Sequence, residues 1–134
     1  TIAGTDYAMR IAPTYVWVSR SYYGGGHDQL KLAKNHVKAL DWPGAARIWT
    51  ELHATSPDPK IKGRAAFDLA LAAEVQGDLQ TAASWATEAA TLLGNGKARS
   101  YRMAIEGRIA DQARVEHQMR TTPVDEAPLA IPPR

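Results

Sequence analysis

The sequence predicts an all-α fold of antiparallel helix pairs stacked as a superhelix. About two repeats and a capping helix follow a short extended or β-like N-terminal segment. Three observations predict it. Leu32, Ala33, Asp41 and Trp42 recur as Leu69, Ala70, Asp78 and Leu79, each pair 37 positions apart. In the second copy, small and apolar residues fall at helical spacing, at Ala66, Leu69, Ala70 and Ala73 and again at Ala82, Ala86 and Ala89. Between these two runs lies the turn Gly77-Asp78-Leu79, in which Gly77 permits the positive φ that ends one helix and Asp78 caps the next.

Thr1 to Gly26 stands outside the repeats. Its stretch from Tyr15 to Tyr23 is rich in β-branched and aromatic residues, and Pro13 is placed to start an extended segment. A lone strand leaves its backbone unsatisfied. The segment therefore pairs with residues outside this sequence, forms an additional helix, or lies as an extended arm on the repeats. Gly24-Gly25-Gly26 ends it, and Asp28 is placed to cap the first helix, from Asp28 to about Leu40. The second helix is expected from Pro43 to Ala54, with Pro43 tolerated in the first turn. The third runs from Lys60 to Gln76 and the fourth from Leu79 to Leu93, where Gly94-Asn95-Gly96 stops it. The fifth, Lys97 to Met119, carries Tyr101, Ile105, Ile109 and Val115 on one face and charge elsewhere, as suits a terminal helix covering the last repeat. From Thr121 onward, Pro123, Pro128, Pro132 and Pro133 with no apolar periodicity predict an extended or flexible tail. The expected division is thus an N-terminal segment, 1–26, a helical domain, 27–119, and a tail, 120–134.

Length and composition set bounds. A chain of 134 residues suffices for one domain with a core. The absence of cysteine excludes thiolate zinc sites, iron–sulfur clusters and cysteine nucleophiles. A net charge of +2, with acids almost as numerous as bases, reads as an ordinary solvated surface rather than a nucleic-acid footprint. No apolar run reaches the roughly 20 residues that span a bilayer. The chain starts at Thr1 without a methionine and ends on Arg134, as a piece of a longer protein would.

Chemistry-bearing constellations are sparse. His27, His36, His53 and His117 never fall in an i, i+4 metal-binding pair, and His36 reads as a hydrogen-bonded core or boundary residue. Gly24-Gly25-Gly26 lacks the Lys-Ser/Thr of a phosphate loop and reads as a hinge or loop. Trp49 and Trp85 fall where helices pack, as does Trp42, whereas Trp17 lies outside the repeats. No nucleophile with a base, no paired carboxylates and no metal cluster rises above chance spacing. No enzymatic activity, metal or cofactor is expected.

The second copy, with Gly77-Asp78, an apolar residue and Ala82, resembles a tetratricopeptide (TPR) repeat. The first copy keeps Leu32, Ala33, Asp41, Trp42, Ala45, Trp49, Leu52 and a closing Pro57. It departs at His36, where the motif has an aromatic residue, and at Leu40, where it has glycine. The 37-residue spacing exceeds the usual 34, and the extra length is expected between Ser56 and Lys62. The resemblance covers Gln29 to Met119. It implies a concave groove lined by the first helix of each repeat, with Lys34, Lys38, Arg64, Phe67, Leu71, Tyr101 and Arg102 on or near it. Cations there would orient the carboxylates of a partner segment, and the apolar residues would contact it. The asparagine and lysine clamp of some TPR domains is not reproduced.

Arg10 to Val16, Ser19 to Tyr23, the Asp41-Trp42 turn, Arg64 to Ala70 and Glu74 to Ala82 together resemble a family of uncharacterised bacterial TPR-like proteins. Members are commonly lipoproteins with a β-containing N-terminal region. That resemblance implies the cell envelope, with a lipid anchor outside this sequence as the sole membrane attachment. The expected function is a non-catalytic protein-interaction or scaffold module with a protein or peptide partner and no nucleic acid. Exposed apolar surface gives a module this small a route to a homodimer. The alternative is a cell-envelope glycan-binding protein, whose stacking platform would be an exposed Trp17, Tyr22 or Tyr23.

Overall fold

The computed structural model describes residues 4–11 and 16–121, and the expected proline-rich tail lies outside them from residue 122 onward. Two strands precede five helices: β1 (Gly4–Ile11), β2 (Val16–Tyr23), α1 (Asp28–Lys38), α2 (Trp42–Thr55), α3 (Pro59–Val75), α4 (Leu79–Leu93) and α5 (Gly96–Thr121). Each helix packs on the next in sequence, and β2 lies against α3.

Local chemistry accounts for the helix boundaries. Asp41 accepts a hydrogen bond from Gly44 N–H at the start of α2, and Asp78 accepts one from Thr81 N–H at the start of α4. Upstream of each aspartate the backbone makes the same turn. Leu40 has φ 60° and Gly77 φ 84°, and in both cases the next amide reaches back five residues, Asp41 N to His36 O and Asp78 N to Ala73 O. Leu40 therefore does in the first copy what glycine does in the second. The cap of α1 is His27, whose Nδ1 accepts from Gln29 N–H at 3.0 Å, and Asp28 is the first helical residue rather than the cap. Asp58 caps α3, with Pro59 in its first turn. The extra length expected in a connection is helical instead, because α3 already begins at Pro59.

The repeat is visible in the packing, with one exception. Ala33 and Ala70 are fully buried, and Trp42 and Leu79 are almost so. Leu32 is 46% exposed whereas Leu69 is buried, and Leu30 fills the core in its place. Trp49 is fully buried, meeting Tyr22 edge-on at 6.4 Å and Trp42 at 6.4 Å. Trp85 is half-buried against His53, whose Nε2 lies 2.9 Å from Glu88. His36 stands at the boundary, 2.9 Å from Asp41.

The N-terminal segment departs from expectation. The strand in the 15–23 region does have a partner within the chain, because β1 pairs with it antiparallel in an unbroken register from Gly4↔Tyr23 to Ile11↔Val16. The hairpin's inner face joins the helical core through Tyr7, which meets Trp42 edge-on at 5.1 Å, and through the buried Met9 and Tyr22.

Candidate functional site

The hairpin is fastened to the helices by two acids of α3 that no water reaches. Glu74 accepts from Nε and Nη2, along one edge of the Arg20 guanidinium, at 2.9–3.2 Å, from Arg108 at 2.8 Å and from the Tyr101 hydroxyl at 2.6 Å. One carboxylate thus joins β2, α3 and α5. Burial alone would raise its pKa, but the hydrogen bonds from Arg20, Tyr101 and Arg108 outweigh burial and hold it below the ordinary value. Tyr101 moves the other way: burial and the adjacent Glu74 charge push its hydroxyl far up, so it remains a donor.

Asp68, fully buried, accepts Tyr23 N–H at 2.7 Å through Oδ1, while its Oδ2 has no partner. Burial raises its pKa well above the ordinary value, against the pull of the Tyr23 amide and the charges of Lys97 and Arg64.

Over these acids lies a cationic seam centred on Tyr23. Lys97 Nζ sits 4.5 Å from the centre of the Tyr23 ring and 5.6 Å from that of Phe67, and the Arg64 guanidinium lies 5.1 Å from the Tyr23 ring. Among the described residues, no carboxylate comes within ion-pair distance of Lys60, Arg64 or Lys97. Two open cavities flank the seam. One, about 250 Å³, is lined by Tyr23, Lys60, Arg64, Leu92, Leu93 and Asn95. The other, about 220 Å³, includes Ser19, Arg20, Phe67, Lys97, Ser100 and Tyr101.

The sequence-predicted groove residues divide accordingly. Arg64, Phe67 and Tyr101 come together, with Phe67 and Tyr101 4.9 Å apart. Lys34 and Arg64 both approach the Gly24-Gly25-Gly26 loop. A side chain at Gly24 would strike the Lys34 stem at 2.6 Å, and one at Gly26 would strike Arg64 Nη1. Gly26 also sits at φ 89°, a backbone conformation that favours glycine. Lys38 is exposed in the last turn of α1, and Arg102 faces Glu106 at 3.8 Å along α5. Phe67, Leu71 and Tyr101 are buried, so they are not an open contact surface. The chain's own hairpin covers Phe67 and Tyr101 through Tyr23 and Arg20.

Sequence reasoning missed Lys60, Lys97 and Tyr23 as members of the seam. The signal for Lys97 was its place just after the Gly94-Asn95-Gly96 stop, where Asn95 caps α5 by accepting from Ala98 N–H. Of the three aromatics considered for glycan stacking, Tyr22 and Tyr23 are buried and Trp17 is 69% exposed.

A cavity of about 390 Å³ between the start of α1 and the end of α2 holds His27 and Glu51, but the His27 ring is engaged in capping. Among the described residues, no three His, Asp or Glu side chains gather to hold a metal, and no helix is long and apolar enough to cross a membrane.

No curated protein and no solved structure matches the chain. A family model described as a domain of unknown function, DUF6340, matches residues 31–107, from α1 into α5, and leaves the hairpin outside. That stretch is more than half of the 134 residues, and the chain belongs to the DUF6340 family.

Proposed function

We propose that this chain is a non-catalytic interaction module, a TPR-like stack of helix pairs, that binds an acidic partner segment along the seam around Tyr23. The observation that carries this reading is the set of three cations, Lys60, Arg64 and Lys97, gathered beside two cavities with no carboxylate in ion-pair reach among the described residues. Leu92 and Leu93 provide an apolar floor beside Lys60 and Arg64, so a segment alternating acidic and aliphatic side chains fits the chemistry. The TPR-like stacking is supported by the two matching helix endings before Asp41 and Asp78 and by the buried alanines at Ala33 and Ala70.

Fluorescence anisotropy with a labelled peptide alternating glutamate and leucine tests the reading. Binding that weakens with salt and falls about tenfold or more in the Arg64→Glu, Lys97→Glu variant is the expected result. Equal affinity of wild type and variant would remove the seam as the binding surface. The glycan reading retains one exposed ring, Trp17, while Tyr22 and Tyr23 are buried.

A further inference from the structure

The cationic seam and the acids best suited to it lie far apart on one copy of the chain. Lys60, Arg64 and Lys97 gather beside the start of α5, and Leu92 and Leu93 give the cavity at Lys60 and Arg64 an apolar wall. Asp125-Glu126 is the one place in the sequence where two acids adjoin, and between Arg120 and Arg134 no basic residue offsets them. Val124 precedes the pair, and Leu129 and Ile131 follow it. Residues 124–131 therefore have the composition that the seam selects: two carboxylates for its cations, and branched aliphatic side chains for Leu92 and Leu93. Pro123 and Pro128 restrict the backbone before binding, which lowers the entropy lost when such a segment is held.

Length decides which copy's seam the segment can fill. Between Lys97, in the seam, and Thr121, α5 rises about 36 Å. Its far half, residues 110–121, is exposed apart from the half-buried Val115, so the helix carries Thr121 away from the other helices. A fully extended chain advances at most about 3.6 Å per residue, which keeps Glu126 within about 18 Å of Thr121. Even with the Glu126 and Lys97 side chains stretched toward each other, the acid pair falls short of its own seam. Lys60 and Arg64 are no nearer, because they line a cavity with Asn95, which precedes α5.

We infer that residues 124–131 of one copy dock in the Tyr23 seam of a second copy, with Asp125 and Glu126 pairing with Lys60, Arg64 and Lys97. The inference rests on the seam reading proposed above and gives its acidic partner an identity. Segment and seam stand at opposite ends of α5, so two copies with their α5 helices antiparallel exchange segments reciprocally, and one two-fold axis fills both seams.

Sedimentation equilibrium of the whole chain from about 1 µM to about 1 mM, at low and at high salt, tests the exchange. The wild type is expected to pass from monomer to dimer over that range, less readily at high salt. Asp125→Lys, Glu126→Lys alters the docking segment alone and should weaken the dimer about tenfold or more, as should the seam variant Arg64→Glu, Lys97→Glu. Mixed in equal amounts, the two variants should form a heterodimer that neither forms with itself, because each segment then meets a seam of opposite charge. A chain that stays monomeric, or a dimer that the segment variant leaves intact, overturns the inference, even if the seam variant fails to fold. Anisotropy with the glutamate–leucine peptide separates that failure from failure of the seam reading. A monomer whose seam still binds the peptide overturns the segment exchange alone, and a chain that neither associates nor binds the peptide removes both.

Discussion

Leu40 and Gly77 show how a single position is constrained by backbone geometry alone. Both are the left-handed residue after a helix, and both precede the aspartate that caps the next one. For an L-residue with a side chain this conformation costs about 1–2 kcal/mol, and for glycine almost nothing. Leu40 is 68% exposed, so its side chain recovers little of that cost by burial. Leu40→Gly should therefore stabilise the protein by about 0.5 to 1 kcal/mol, part of the relief being offset by the greater freedom of glycine in the unfolded chain. The measurement is the midpoint of a urea melt, which should rise with an unchanged slope. A lower midpoint would mean that the exposed leucine makes a contact worth more than the strain. Gly44 is the opposite case. Its N–H bonds Asp41, and a side chain there would strike both Asp41 and His36, so this glycine is required by space and not by φ.

At the level of elements, what the sequence made legible was what is decided locally. All five helices begin and end within a few residues of their expected bounds because aspartate caps, prolines and glycine stops act over three to five residues. The hairpin and the seam were not legible, for a shared reason. β1 reads Gly-Thr-Asp-Tyr-Ala-Met-Arg-Ile, with one β-branched residue before its last, and it becomes a strand by pairing with β2 rather than by propensity. No local pattern in the sequence marks Glu74 as buried. Its partners Arg20, Tyr101 and Arg108 are 54, 27 and 34 residues away in sequence, and no spacing rule joins them. The buried acid is nevertheless what couples the hairpin to the helices. Arg20→Met keeps a stem of similar length, removes the β2 side of that joint and leaves Glu74 with Tyr101 and Arg108. It should cost about 1–3 kcal/mol. Native-state hydrogen exchange should quicken in β1 and β2 before it does in α3. Unchanged protection of the hairpin amides would show that the remaining contacts, Tyr7 with Trp42, Tyr22 with Trp49 and Tyr23 with Asp68 and Phe67, hold the hairpin without Arg20.

For the molecule as a whole, the two acids buried in α3 set opposing limits on pH. Glu74 has its pKa depressed in the folded protein, so its contribution is present above the ordinary carboxylate value and is lost as the pH falls through the depressed one. The capping aspartates Asp41 and Asp78, also held low by their hydrogen bonds, act in the same direction. Asp68 has its pKa raised, so its contribution is complete below the ordinary value and disappears as the pH rises through the raised one. Stability should therefore be greatest on the mildly acidic side, where Glu74 is ionised and Asp68 still holds its proton, and should decline toward alkaline pH. Asp68→Asn isolates the second limb. The amide oxygen can still accept the Tyr23 N–H, while the group no longer ionises beneath Lys97 and Arg64. Urea melts of wild type and variant from about pH 4 to about pH 9 should show the alkaline decline in the wild type alone, with the two curves closest at the acid end. Parallel curves across the whole range would mean that Lys97 and Arg64 already neutralise an ionised Asp68. In that case the seam's charges would be engaged inward, and an acidic partner would have to compete with Asp68 for them.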